Sequence, residues 1–165
     1  MRVATWTLGL LLLNGLWNET GAETLKANML VRATVVSACT HLTVNPLTFG
    51  NYLQNSASAV EASSTVHVTC TKGVAFSLDV SVGNSFTNGT RQMASAPASR
   101  PGVLAYNLYT SDTYTQVWGS DAGGAQISGT GIGDQQNITV HGRIPSGQTP
   151  LPGDYSDTVA VTLTF

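Results

Sequence analysis

The chain has 165 residues and a formal net charge of −2, and only 10% of its residues are charged. A typical protein has about a quarter of its residues charged, so this chain lacks the basic field that nucleic acid or an anionic membrane attracts. Its length fits one domain with a proper core. The low charge, together with many Thr, Ser, Val and Gly residues, favours a β-rich exported protein without a nucleic-acid partner.

The first 22 residues have the pattern of a secretory signal. Arg2 precedes an apolar run over residues 8–13, and small residues occupy positions 20–22. Asn14 ends the run well before the about 20 apolar residues that a membrane span needs. We therefore expect residues 1–22 to be removed, a mature chain that begins at Glu23, and no membrane span after removal.

The two cysteines, Cys39 and Cys70, are expected to form a disulfide. Export places them in an oxidising compartment, where an even pair in a small domain is typical of a bridge rather than a metal site or a catalytic thiol.

The N-terminal stretch over residues 24–38 alternates apolar and polar residues, with Leu30 and Val36 as exceptions, and contains no Pro or Gly. Alternation predicts an extended, amphipathic segment, but about 15 residues exceed the common strand length of about 5 or 6. We expect two parts: a free arm over about 23–31, then a first strand that leads into Cys39. The apolar face of the arm comprises Leu25, Ala27, Met29 and Val31.

The middle of the chain predicts strands and long loops but no helix, because no stretch has a helical period. Seven or eight strands in all predict an all-β sandwich. The strands are expected at 42–49, 65–71, 74–82, 103–110, 114–118 and 136–144, with loops at 51–64, 83–102 and 121–133.

The last stretch, over residues 154–165, predicts the clearest strand. Val159, Val161, Leu163 and Phe165 alternate with Ala160, Thr162 and Thr164. A final hairpin partner would come next in a complete sandwich, and none follows. We therefore expect the backbone edge of this strand, and part of its apolar face, to need cover from another molecule.

No residue pattern indicates catalysis, a metal or a cofactor. His41, His67 and His141 lie far apart without metal-ligand spacing. The carboxylates of Asp154 and Asp157 flank a turn, where aspartate commonly accepts backbone hydrogen bonds.

Aromatic residues on the predicted strands leave one alternative open. Trp118, Tyr106 and Tyr109 would suit a sugar-stacking face, although aromatics at alternating strand positions are more often core. A carbohydrate-binding module therefore remains a minor alternative.

A set of short motifs, in order along almost the whole mature chain, resembles the spore coat protein U domain family. That family includes the Csu-type subunits of archaic chaperone–usher pili. The motifs are Cys39-Thr40, Phe49-Gly50-Asn51-Tyr52, Val66-His67-Val68-Thr69-Cys70, Arg91-Gln92-Met93, Leu104-Ala105-Tyr106-Asn107-Leu108-Tyr109, Trp118-Gly119, Gly142-Arg143-Ile144-Pro145, Gly153-Asp154-Tyr155-Ser156-Asp157 and Leu163-Thr164-Phe165.

The resemblance implies an incomplete immunoglobulin-like sandwich that lacks its last strand and is exported through the periplasm. A periplasmic chaperone would lend the missing strand, and at an outer-membrane usher the arm of the next pilus subunit would replace it. The family's cysteine pair corresponds to Cys39 and Cys70, its donor arm to the stretch that begins at Glu23, and its open last strand to residues 159–165.

The expected function is thus a structural subunit of a cell-surface fibre, a homo- or heteropolymer that contributes to adhesion and biofilm formation. Leu25, Ala27, Met29 and Val31 would enter a neighbour's groove beside Val159, Val161, Leu163 and Phe165. The main alternative is a self-contained secreted or spore-coat domain whose own arm closes its sheet.

Overall fold

The computed structural model describes residues 21–96 and 102–165, so almost all of the expected signal segment lies outside the described part. Ten strands and one short 3-10 turn, Ser120–Ala122, make up the regular structure of these residues, and the all-β prediction is confirmed. The strands are β1 (Cys39–Val44), β2 (Val60–Cys70), β3 (Ala75–Val80), β4 (Phe86–Thr87), β5 (Thr90–Ala96), β6 (Val103–Tyr109), β7 (Ile127–Thr130), β8 (Gln135–Ile144), β9 (Asp154–Ser156) and β10 (Val161–Thr164).

The strands form two antiparallel sheets of unequal width. The large sheet has the order β1-β2-β8-β6-β5-β4, with β9 paired to β5, and the small sheet has the order β10-β3-β7. β2 and β8 form the longest pairing of the large sheet, from Val60 opposite Ile144 to Thr69 opposite Gln135. Side chains alternate strictly along both strands, so that one face of the large sheet is buried and the other is polar.

The core lies between the two sheets. Val66 and Val68 of the large sheet and Leu78 of the small sheet are fully buried in one apolar cluster with Trp118 and Ile144. The indole N–H of Trp118 donates to the Leu78 carbonyl at 3.0 Å, which satisfies the polar atom of the largest core side chain.

A buried arginine ties this core to the small sheet. Arg91 has no exposed surface, and its guanidinium donates to the carbonyls of Val80, Ser81 and Trp118. Burial lowers the pKa of the guanidinium, and the nearby Tyr106 and carboxylates oppose that shift. The hydrogen bonds hold the end of β3 against the segment that follows β6.

The disulfide between Cys39 and Cys70 is present, as expected, and joins the start of β1 to the end of β2. Here the structure corrects the predicted position of the first strand, which begins at Cys39 instead of leading into it. Residues 21–34 have no secondary structure and are exposed. Alternation makes a segment able to act as a strand, but a strand forms only where a neighbour takes its backbone hydrogen bonds.

Three strands fall in predicted loops. β4 and β5 form a tight hairpin around Asn88 and Gly89, both of which have positive φ. β7 includes Gly129, where a Cβ atom would lie 2.4 Å from the Phe76 ring, so glycine permits close packing against β3. Residues 114–118, predicted to pair as a hairpin with the strand over 103–110, form no continuous strand, but the pairing with the end of β6 is present: Val117 makes an antiparallel bridge to Tyr109, and the Trp118 N–H donates to the Leu108 carbonyl at 2.8 Å. No helix in the described ranges is long and apolar enough to cross a membrane.

Candidate functional site

Within the described residues, the outer edge of β10 is an unpaired backbone edge of the small sheet. β10 pairs with β3 on one side, and no strand of the described residues pairs with its other side. The Ala160 carbonyl accepts from the Ser81 N–H at 2.9 Å, so the backbone of Ala160 faces β3. Since backbone direction alternates along a strand, the N–H and C=O groups of Val161 and Leu163 point to the open edge.

A long cleft opens beside this edge, with a volume of about 1210 Å³. Two stretches form its walls, residues 44–54 and 150–161. Its floor is the buried face of the large sheet, together with Trp118. The floor residues are Met93, Leu104, Tyr106, Leu108, Val140 and Ile144.

The first wall packs close to the floor because residue 142 of the floor strand β8 is a glycine. Leu47 and Phe49 lie over Gly142, where a Cβ atom would come within 2.9 Å of both side chains. Phe49 also packs edge-on against Tyr106, with ring centroids 6.0 Å apart. The hydroxyl of Tyr52 donates to the Pro145 carbonyl at 3.1 Å and anchors the end of the wall.

The position of the second wall is fixed by hydrogen bonds to the Asp157 carboxylate. Its carboxylate accepts from the Tyr106 hydroxyl at 2.7 Å and from the backbone N–H groups of Asn84 and Thr158 at 2.9 and 2.8 Å. Burial and the bond to Asp157 raise the pKa of Tyr106, so the phenol stays a donor. The expectation that this aspartate accepts backbone hydrogen bonds is confirmed.

The wall also contains a tyrosine that closes its own turn. The Tyr155 hydroxyl donates to the Leu151 carbonyl at 2.8 Å, four residues upstream, as a tyrosine corner does in immunoglobulin-like domains.

The four residues expected in the acceptor groove do not all lie in the cleft. Val159 and Val161 line it. Leu163 is half-buried against the core, opposite Leu78. Phe165 is 60% exposed and lies near Phe76 and Gly129, at the far end of the small sheet. The structure therefore places the first two on the cleft wall and the last one away from it.

The four residues expected in the donor arm are all exposed. Leu25 is 97%, Met29 86% and Val31 80% accessible, and Ala27 is exposed as well. The arm thus carries large apolar side chains in water.

Several residues that build the cleft were not assigned to it from the sequence. Phe49, Tyr106 and Gly142 belong to the motifs that support the resemblance, which was the signal that could have identified them. The sugar-stacking interpretation is wrong for Trp118 and Tyr106, because these side chains are 1% and 5% exposed and lie in the core. The third residue of that interpretation, Tyr109, is partly exposed at the end of β6, on the face opposite the core.

Comparison with known proteins places the chain in a family. The model of the Spore Coat Protein U domain matches residues 25–162. A curated relative, "Protein U" of Myxococcus xanthus, is 30% identical over 158 residues, which cover 87% of each chain.

Among solved structures, a chaperone–subunit complex has a similar fold. It is the CsuC–CsuE pre-assembly complex of a chaperone and a tip adhesion subunit, from archaic chaperone–usher Csu pili of Acinetobacter baumannii. The TM-score is 0.58 at 20% identity, and the match covers 80% of this chain and 41% of the solved chain. This chain therefore spans less than half of that one. All the motifs of the resemblance except the last, Leu163-Thr164-Phe165, lie within the region that the family model matches, and the chain belongs to the Spore Coat Protein U domain family.

Proposed function

We propose that the protein is a structural subunit of an archaic chaperone–usher pilus, exported through the periplasm into a fibre on the cell surface. The observation that carries the proposal is the cleft beside the unpaired edge of β10, in a chain whose own apolar arm is exposed. A strand from another molecule would complete the small sheet and cover the cleft. The role is structural and not catalytic.

The occupant that suits the cleft is an extended strand with one apolar face. Val161 and Leu163 offer backbone groups along the open edge, which gives affinity, and the apolar floor takes alternate side chains, which gives specificity. The arm residues Leu25 to Val31 span about 20 Å when extended. The arm thus presents four apolar side chains on one face, with polar Lys26 and Asn28 on the other.

This geometry suits the partners that the family resemblance implies. A periplasmic chaperone would occupy the cleft first, because an open apolar cleft and an unpaired edge favour aggregation. At an outer-membrane usher, the arm of the next subunit would replace it. The polymer would contain this subunit alone or with others, and it would contribute to adhesion and biofilm formation.

The direct test is a carboxylate on the apolar face of the arm. In the Met29→Asp variant, the arm loses the binding free energy from burial of the methionine in the cleft, about 1.5–3 kcal/mol. Transfer of the aspartate charge from water into the cleft costs several kcal/mol more. A total above about 4 kcal/mol corresponds to a loss of affinity near a thousandfold. We expect Met29→Asp to abolish polymers in the full mature chain, measured as ladders on denaturing gels without boiling.

Asn28→Asp is the matched control, since it adds the same charge on the opposite face of the arm. A one-residue step reverses the face of a strand, so this variant should polymerise nearly as wild type does. Equal polymerisation by both variants would contradict the proposed register. If Met29→Asp fails to fold, the self-closed sandwich is favoured instead, because the arm would then belong to the domain's own core.

A further inference from the structure

A second candidate site lies on the outer face of the large sheet, opposite the cleft. Tyr109 of β6, His141 and Arg143 of β8 and Glu61 of β2 all point outward, and Tyr114 from the segment after β6 lies among them. The Tyr114 ring stands edge-on to Tyr109 and His141, with centroids 5.4 and 6.1 Å away.

Charged side chains lie beside Tyr114. Desolvation and the nearby Glu61 carboxylate both contribute to the raised pKa of the Tyr114 hydroxyl, and Glu61 pairs with Arg143 at 3.4 Å. The guanidinium carbon of Arg143 lies 5.1 Å from the centre of the Tyr114 ring, within cation–π range. The Tyr114 ring is therefore contacted by side chains from two strands, β6 and β8.

The backbone of Tyr114 is in an unfavourable conformation. Its φ of 54° lies in the left-handed region, and the other non-glycine residues with positive φ among those described are Asn55 and Asn88. Asparagine adopts this region readily, whereas a bulky aromatic residue does so at a cost. Strain of this kind persists where surrounding structure enforces it, and it concentrates at functional sites.

The surroundings supply hydrogen-bonding groups for a ligand along the sheet. Next to Tyr114, the hydroxyls of Ser111, Thr113 and Thr115 form a chain at 2.8 and 3.0 Å. Along the same face, β2 and β8 place polar side chains directly opposite one another without an apolar interruption. These pairs are Glu61 with Arg143, Ser63 with His141, Thr65 with Thr139, His67 with Asn137 and Thr69 with Gln135.

We propose that this outer face binds a neutral carbohydrate chain, with one pyranose ring against Tyr109 and Tyr114. The C–H groups of a sugar ring suit the negative face of an aromatic ring, and the sugar hydroxyls suit amide, hydroxyl, imidazole and paired charged groups. Tyr109 and Tyr114 are partly exposed, as this role requires. The site does not depend on the cleft, whose lining faces the opposite side of the sheet.

Charge selects a neutral ligand over an anionic one. Arg143 is already paired with Glu61, and the charge of Asp112 also acts on Tyr114. The cluster therefore has no free cation for a uronate or sulfate group, and its carboxylates repel an anionic polymer.

The test is a calorimetric titration of the full mature chain with three oligosaccharides: cellohexaose, chitohexaose and a hyaluronan hexasaccharide. We expect saturable binding of a neutral oligomer at millimolar or lower concentration and none of hyaluronan. Tyr114→Gly removes the ring and relieves the positive φ, so it should weaken binding about tenfold or more without lowering the unfolding temperature.

Asn88→Gly is the matched control, because it makes the same backbone change at an exposed turn outside the cluster. It should bind as wild type does. Each titration is run well below the unfolding midpoint of the variant, so that lost stability does not imitate lost binding. The proposal is overturned if neither neutral oligomer binds, if hyaluronan binds instead, or if Tyr114→Gly binds as tightly as wild type.

Discussion

Replacement of the buried arginine would test how the core holds the wall of the cleft. Arg91 donates from Nε to the Ser81 carbonyl at 3.0 Å and from one terminal nitrogen to the Ser81 and Trp118 carbonyls, both at 2.9 Å. Ser81 in turn bonds to Ala160, immediately before β10. The guanidinium therefore supports the strand whose outer edge is open.

The expected cost of Arg91→Met follows from these bonds. The carbonyls of Val80, Ser81 and Trp118 lose a donor, and the Trp118 carbonyl belongs to a residue that is 1% exposed, so water does not readily replace the guanidinium there. An unsatisfied buried carbonyl costs about 1–3 kcal/mol, and removal of a buried charge returns part of this. We expect a net loss of about 2–4 kcal/mol, a large share of a typical stability of about 5–15 kcal/mol.

Urea unfolding of the oxidised mature chain measures this change. With a slope of about 1–3 kcal/mol per molar urea, the midpoint should fall by about 1–2 M. Arg91→Lys should also lose stability, because an ammonium does not reproduce the planar fork. Lys72→Met, at an exposed cation, should stay within about 0.5 kcal/mol of wild type. An unchanged midpoint for Arg91→Met would refute the assigned role of its hydrogen bonds.

Two further predictions concern stability. Burial raises the pKa of Asp79, but hydrogen bonds from Ser120, Gln126 and Val80 outweigh it and bring the value to about 2. Because the folded pKa lies below the unfolded value near 3.8, this contribution is present above about pH 4 and lost as the pH falls towards 2. The difference in urea midpoint between wild type and Asp79→Asn should therefore shrink between pH 5 and pH 2; a constant difference would contradict the assignment. Reduction of the bridge between Cys39 and Cys70, 31 residues apart, should cost about 3.5 kcal/mol. The reduced protein and a Cys39→Ser, Cys70→Ser double variant should unfold at the same lowered urea midpoint, and a midpoint equal to that of the oxidised protein would contradict it.

The unequal width of the two sheets links the fold to the proposed assembly. The large sheet extends past the small one, so part of its buried face is covered by the wall over residues 44–54 instead of by a strand. Gly142 lets Leu47 and Phe49 approach that face closely. A donor strand next to β10 would fill the gap between the wall and the small sheet and complete both layers.

Local pattern was enough to predict the all-β class, the disulfide and most of the long strands. β2, β3, β6 and β8 contain regular alternation of buried and exposed residues, and this alternation follows directly from the geometry of a strand with one face on a core. The bridge between Cys39 and Cys70 followed from an even cysteine count in an exported chain. The order of short motifs indicated the family, which the comparisons confirm.

Features that depend on contacts between distant residues required the tertiary structure. The stretch over residues 24–38 has the composition of a strand and is not one here, because a strand forms only where a partner edge is available. β5 and β7 lie in segments rich in turn residues and become strands through pairing with β6 and β3. A charged residue such as Arg91 gives no local sign that it will be buried, since the carbonyls of residues 80, 81 and 118 meet only after folding. The same holds for Tyr114, whose ring contacts side chains of β6 and β8. The periodicity of a segment predicts a strand but does not identify the strand that lies beside it.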